Sequence, residues 1–272
     1  MADKKKLEAA LEKKALYGED IDLSKYDDND EARTKSTEDL TAGGKSKLAK
    51  VGIELDGEGR SATFIQVDNT PVQVEVDKET PLELMNTGDA AKKHPELVEK
   101  YWWKAVAPDT DKYTAKTATE REQGYFIRVR AGHKRSAPVQ ACIFIGHEDQ
   151  LQRVHNVVII EEGAELNIIS GCASDPSVEN GVHIGISEFF VEKGAKLSFS
   201  IIHNWGENVA VRPRTVAIVG EDAQYTSNYV CLERVKDVQM YPTTRPVGKG
   251  AVARPTSILV APQGSHLDIG GT

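Results

Sequence analysis

Three thiols and five imidazoles carry most of the chemistry this chain can offer, and all eight follow Gly124. They are Cys142, Cys172 and Cys231, with His147, His155, His183, His203 and His266. A thiolate is both nucleophile and metal ligand, but a cysteine reaches that state readily only where it is partly exposed and near cations. Cys172 stands in Gly171-Cys172-Ala173-Ser174, where an alternating strand runs out into the polar stretch SDPSVEN, a setting that predicts exposure. The competing reading is a buried cysteine serving as a small hydrophobe. Cys142, inside Ala-Cys-Ile-Phe-Ile, reads as core. Three cysteines are too few and too odd a number for a disulfide framework, and no Cys-x-x-Cys pair is present. His183-Ile184-Gly185 with Glu188 and Gly194 partly mimics a cupin metal motif, but that motif needs a second histidine where Gly185 stands. No Ser/His/Asp order and no catalytic carboxylate pair stands out.

Around Cys172 one unit is written twice. Val157 to Ile160 and Ser187 to Val191 each lead into a glycine-alanine corner, Gly163-Ala164 and Gly194-Ala195. Each corner is followed by an alternating strand, Leu166 to Ile169 and Leu197 to Ile201. Further corners extend the series, Asp222-Ala223 at a slightly shorter interval and Gly264-Ser265 at a distinctly longer one. The last interval holds Pro242, Pro246 and Gly248, enough for a loop or an extra corner. Repetition at a period of this size predicts stacked β coils; an antiparallel sandwich or barrel is the alternative. Cys142 lies close to one such period before Cys172, and Cys231 lies close to two after it. Coil periods would therefore carry the three thiols to one side of a solenoid.

The rest of the chain divides by composition. Residues 1–50 hold 12 acidic and 11 basic side chains, with a short helix predicted through Leu7, Leu11 and Ala15, ended by Gly18, and a solvated or mobile remainder. Gly44-Lys45-Ser46 lacks the earlier glycine of a phosphate loop, because Asp39 stands there. Residues 51–123 read as a mixed α/β segment: a hairpin from Arg60 to Val76, then helical periodicity from Asp89 to Val106 with Trp102-Trp103 as a packed apolar face. Residues 124–272 read as the β core. A net charge of −8 over 272 residues argues against nucleic-acid binding. The absence of a long apolar run or leader pattern argues against membrane insertion and for a cytoplasmic protein.

GYFIRVRAG, PVQACIFI, HNVVIIEEGAELNIISGCAS, FFVEKGAKLSFSIIHNWG and RPTSILVAPQGSHLDIGG, in that order, resemble the SufB/SufD family, the scaffold subunits of SUF iron–sulfur cluster assembly. YGEDIDLSKY and HPELVEKYWWKAV are similar to the same family's leading segment. The likeness covers about residues 95–272 well and the first 30 faintly. It implies a right-handed parallel β-helix. It also implies a cytoplasmic complex with a SufC-type ABC ATPase, a second SufB/SufD-type chain, a sulfur donor system and apo iron–sulfur proteins as recipients. Cys172 matches the position implicated in receiving or passing sulfur, which favours a SufB-like identity.

A transient iron–sulfur cluster takes thiolates with histidine or carboxylate as substitutes. Cys231 and His203 are the candidate ligands beside Cys172, although the match of His203 to a strand end of the family fits a structural corner as well. Arg212, Arg214, Arg245 and Arg254 suggest a groove for a reduced flavin, or solvated corner positions. Long family members carry further candidate ligands and a helical carboxy-terminal, ATPase-docking domain. This sequence stops before them, in mid-coil at Leu267 to Thr272, as a short or truncated form with its end open to another subunit. The resemblance implies a scaffold rather than an enzyme. The alternatives are a structural SufD-like partner with inert cysteines and, further off, a carbohydrate-acting β-helix.

Overall fold

A computed structural model describes residues 4–15, 19–29, 32–77 and 81–272. Its first part is built of short pieces: α1 (Lys4–Leu11), α2 (Ala42–Lys50), the strands β1 (Ala62–Val67), β2 (Thr70–Val76) and β3 (Leu82–Asn86), then α3 (Thr87–Lys93), α4 (Pro95–Tyr101) and α5 (Lys112–Thr119). From Tyr125 onward every regular element is a strand. These are β4 (Tyr125–Val129), β5 (Val139–Ile145), β6 (Gln150–Ile160), β7 (Glu165–Ser174), β8 (Asn180–Val191), β9 (Lys196–Asn204) and β10 (Asn208–Val211). They continue as β11 (Arg214–Val219), β12 (Gln224–Cys231), β13 (Asp237–Met240), β14 (Thr243–Pro246), β15 (Val252–Leu259) and β16 (His266–Ile269).

Successive strands alternate between two facing sheets. One sheet runs β15-β12-β9-β7-β5-β1-β2 and the other β16-β13-β10-β8-β6-β4-β3, with β11 continuing β10 along β8 and pairing β14. All pairs among β4–β16 are parallel, while β1–β2 and β3–β4 are antiparallel. The result is a β-solenoid of about five turns. Glu165 lies beside Lys196, and Lys196 beside Gln224. Side-chain bonds between neighbouring coils show the same two steps: Asn156 donates to Ser187, 31 residues on, and Asn228 donates to Ser200, 28 residues back. The corners are sharp because Gly163 and Gly194 adopt φ values of 68° and 64°, which a side chain disfavours.

Alternation along each strand divides three apolar clusters. Val154, Val158 and Ile160 of β6 face the lumen with Ile168, Phe189 and Phe199. Val157 and Ile159 face outward onto α3–α5, against Tyr101, Trp102 and Tyr113. Phe144 and Ala173 on the opposite sheet face outward onto Leu48, Val51 and Ile53. Strands buried on both faces need no polar side, and β6 is accordingly buried along its whole length.

Several expectations change in detail. α1 ends at Leu11, short of Ala15, and Gly18 lies outside the described residues. Gly44-Lys45-Ser46 lies inside α2, whose Thr41 cap accepts from the Gly44 amide and whose Leu48 is fully buried; that part of the leading segment is ordered against β7. The hairpin turns on Asp68-Asn69 alone, with Asp68 at a φ of 52°. The helical stretch from Asp89 breaks into α3 and α4, with Pro95 opening the second; Trp102 is extended and Trp103 adopts a φ of 55°. The final interval contains the extra corner: Gln224 already lies beside Val252, so the coil turns near Gly250 as well as at Gly264.

Candidate functional site

The parallel register sets the candidate residues in rows. Ile143 lies beside Cys172, Cys172 beside His203, His203 beside Cys231 and Cys231 beside Leu259. Cys172, His203 and Cys231 therefore form three consecutive rungs on one wall of the lumen, each a strand spacing of about 4.8 Å from the next. Cys142 does not join them. It lies beside Gly171, one position out of step, and its side chain packs on the outer face with Leu48, Val51 and Ile53. The interval from Cys142 to Cys172 is close to a coil but not equal to one, and a slip of a single position reverses the face. Two of the three thiols, Cys172 and Cys231, thus share one side, and Cys142 does not.

The expected exposure of Cys172 is not found: it is 3% exposed, and Cys231 is 1% exposed. Burial pushes the Cys172 thiol up to about 12, against smaller lowering by its hydrogen bonds to Ser170 and the Ile143 backbone. Burial raises Cys231 as well. Close packing outside fixes the rung, since a Cβ on Gly171 would fall 2.6 Å from Val51 Cγ2.

The lumen holds a cavity of about 590 Å³ lined by Cys172, His203, His183, Tyr229, Ser170 and Ser187 among others. His203 Nδ1 is 3.0 Å from the Tyr229 hydroxyl, a contact made diagonally from the next coil. Across the lumen His183 Nδ1 lies 2.8 Å from Gln152 Oε1. Both amide hydrogens of Gln152 go to carbonyls, of Asp68 and Phe144, so its oxygen must accept and His183 Nδ1 must carry the proton. Nε2 of His183 is left as a lone pair. A Cβ on Gly185 would fall 2.7 Å from that nitrogen, so glycine there keeps the space beside it clear. Burial pushes His183 down to about 3, and burial together with the His183 charge pushes His203 to about 3. Both are neutral near pH 7.

Among the described residues no group of three or more His, Cys, Asp or Glu side chains is disposed to hold a metal ion. The row offers two sulfurs and one nitrogen in a line rather than a cage around one point. Tyr229 and His183 were not singled out as partners of Cys172. Tyr229 was detectable in principle, because it stands two positions before Cys231 on one strand and therefore shares its face.

Other residues of chemical promise are structural. His155 and Glu188 are wholly buried, 2.8 Å apart, and Glu188 also accepts from the backbone amides of Trp103, Ala105 and Val106 at 2.6–2.9 Å. Trp103 stacks on His155 at 4.1 Å, and Trp102 stacks on Phe126 while donating to Glu122. Arg212 is buried against Asp237, Arg214 is bound to Asp111 and Gln239, and Arg245 reaches the Ala105 carbonyl. These pairings engage three of the four arginines expected to line an anionic groove, while Arg254 is exposed on β15, and they give a flavin no support. His266 pairs with Asp237, and His147 with Asp68.

A family model described as SUF system FeS cluster assembly, SufBD core domain matches residues 143–272. An iron–sulfur cluster assembly SufBD family protein of Methanothermobacter thermautotrophicus (strain Delta H) is 43% identical over 98% of this chain and 66% of its own length. One of Archaeoglobus fulgidus is 47% identical over 83% of this chain and 60% of its own. The iron–sulfur cluster assembly protein SufB of Bacillus subtilis is 28% identical over 68% of this chain and 40% of its own. The chain spans about two thirds or less of the length of these relatives. Among the described residues no helix is long and apolar enough to cross a membrane.

Proposed function

The chain belongs to the SufBD family of iron–sulfur cluster assembly proteins, and from that premise we propose that it is a scaffold subunit accepting sulfur at Cys172. The observation that carries this reading is the lumen row Cys172–His203–Cys231 beside a cavity that reaches the first two. The step is a transfer between sulfurs. Cys172 sulfur attacks the terminal sulfur of a donor persulfide, the donor S–S bond breaks, and its electron pair leaves on the donor sulfur. The Cys172 proton passes to that sulfur, so a persulfide and a thiol give a new persulfide and a new thiol with no oxidant required. A thiol held near 12 is protonated at rest, so transfer requires a change in the lumen that admits the donor and stabilises the thiolate. Such gating fits the control that an ABC ATPase of SufC type would exert. His203 and Cys231 then stand next along the wall to share nascent iron and sulfide, which are cargo for apo-proteins. In this reading the protein works in the cytoplasm with a second SufB/SufD-type chain and as an assembly protein without turnover chemistry of its own.

A second reading has a specific observation behind it. All three thiols are buried, as befits a structural SufD-like partner. Anaerobic reconstitution with ferrous iron and sulfide, ATPase present, compares the wild type with Cys172→Ser. With a small-molecule persulfide added as the sulfur donor, loss of the sulfide-to-iron absorption and of persulfide mass in the variant is the expected result. Absorption indifferent to the substitution would remove Cys172 from the role. Thiols that stay protected from alkylation while the ATPase turns over would favour the structural partner.

A further inference from the structure

The corner that follows the thiol row changes length between coils. β7 ends at Ser174 and β8 begins at Asn180, but one coil on β9 ends at Asn204 and β10 begins at Asn208. The strands stay in register on both sides, Ala173 beside Asn204 and Asn180 beside Asn208, so the shortening falls at the corner alone. A recess of about 560 Å³ lies there, lined by Lys47, Ser174, Asp175, Glu179, Trp205, Glu207, Glu233 and Arg234 among others.

Two buried donors in its wall have no partner: Ser174 Oγ and Trp205 Nε1, on residues 1% and 2% exposed. Neither residue borders the lumen cavity. An indole N–H can only donate, so its unmet need is for an acceptor. Lys47 adds a cation: its ammonium bonds Asn204 Oδ1 at 2.6 Å and, among the described residues, makes no direct ion pair, the Glu233 carboxylate acting on it only through its charge. Of the four acids at the recess, Asp175 is engaged by Thr41 and Ser177, and Glu207 by Arg234 at 2.7 Å. Glu179 and Glu233 remain at the exposed rim. The recess thus offers two unmet donors and a cation, with the buried Asp175 carboxylate satisfied by its own donors and Glu179 and Glu233 exposed at the edge, a polarity opposite in sense to that of one small class of molecule. We propose that this corner pocket binds a small α-amino acid as its zwitterion, the carboxylate on Ser174, Trp205 and Lys47 and the ammonium at Glu179 and Glu233. A plain anion would meet the rim carboxylates, and a plain cation would leave the two donors unmet. The proposal is independent of sulfur acceptance at Cys172.

The test is a titration of the whole chain with L-alanine, acetate and methylammonium, followed in proton–nitrogen spectra. The Trp205 indole peak is assigned through its proximity to the His183 and His203 rings, 4.8 and 5.6 Å away. Alanine is expected to move that peak saturably to lower field while the Trp102 peak, already bonded to Glu122, stays still. Acetate should bind about 10-fold more weakly and methylammonium should leave the peak unmoved. Lys47→Met, at a half-buried position on α2, should weaken alanine about 10-fold with the rest of the spectrum preserved. No saturable shift, equal binding of acetate and alanine, or an indifferent Lys47→Met would each overturn the proposal. Because reconstitution does not use Lys47, failure here leaves the reading of Cys172 standing.

Discussion

His183 and His203 stand inside the lumen with pKa values pushed down to about 3, chiefly by burial, against about 6.5 in an unfolded chain. Folded, both stay neutral as the pH falls; unfolded, both take a proton. Their contribution is therefore intact above pH 6.5 and is lost as the pH drops toward 3. Each should account for about 2 kcal/mol of lost stability by pH 5. Urea unfolding of the wild type and of His183→Gln at pH 7 and pH 5 reads this directly, with the variant expected to lose about 2 kcal/mol less between the two. Equal losses would mean that the imidazole is not shut away. Residue type, strand context and family resemblance together brought Cys172, His203 and Cys231 forward from the sequence. Their shared row was not legible, because it depends on coils of unequal length, 31 residues and then 28. An error of one position turns a side chain out, as it does for Cys142.

The segment that joins α4 to α5 is held to the solenoid by one outward-facing pair on adjacent strands, His155 on β6 and Glu188 on β8. Burial alone would lower the His155 pKa, but its bonds to Glu122 and Glu188 outweigh burial and raise it. His155→Gln leaves the buried Glu188 carboxylate with backbone amides but no counter-charge, and should cost about 3 kcal/mol in thermal or urea unfolding. A raised histidine stabilises fully below its unfolded value and loses its effect as the pH rises through the folded one. The gap between wild type and variant should accordingly be widest below about pH 6.5 and narrow as the pH rises above it. A gap constant with pH would show that His155 is not charged. The strands that carry this pair were legible, since their alternation and glycine corners are local. α2 was not: AGGKSKLAK has two glycines and little apolar content, and its helix is fixed by Leu48 and by contact with β7.

At the scale of the molecule each coil touches only the coils before and after it, so stability is distributed by nearest neighbours. β8 is held on one edge by β6 and on the other by β10 and β11, and it is buried almost throughout. β15 pairs only with β12 among the described strands, and most of its length is exposed, with Ile258 and Leu259 uncovered. Hydrogen exchange should follow that gradient, with amides of β6–β8 slowest and those of β15 and β16 fastest among the solenoid strands. Uniform protection would mean that the coils unfold as one unit. The repeat behind this arrangement was written in the sequence by the corners at Gly163, Gly194 and Asp222. The longer interval from Asp222 to Gly264 concealed a full coil, because Lys249-Gly250-Ala251 makes its corner without the apolar run that marks the others.

The imidazole rung also has a bearing on oxidation. Cys172 and Cys231 share a wall but are separated by two strand spacings, roughly 9–10 Å, beyond the roughly 7 Å between Cα atoms that a disulfide can span. His203 is thus an insulator between them. Air cannot close the two sulfurs onto each other within the folded chain, and a sulfur atom delivered to one would not be lost by ring closure with the other.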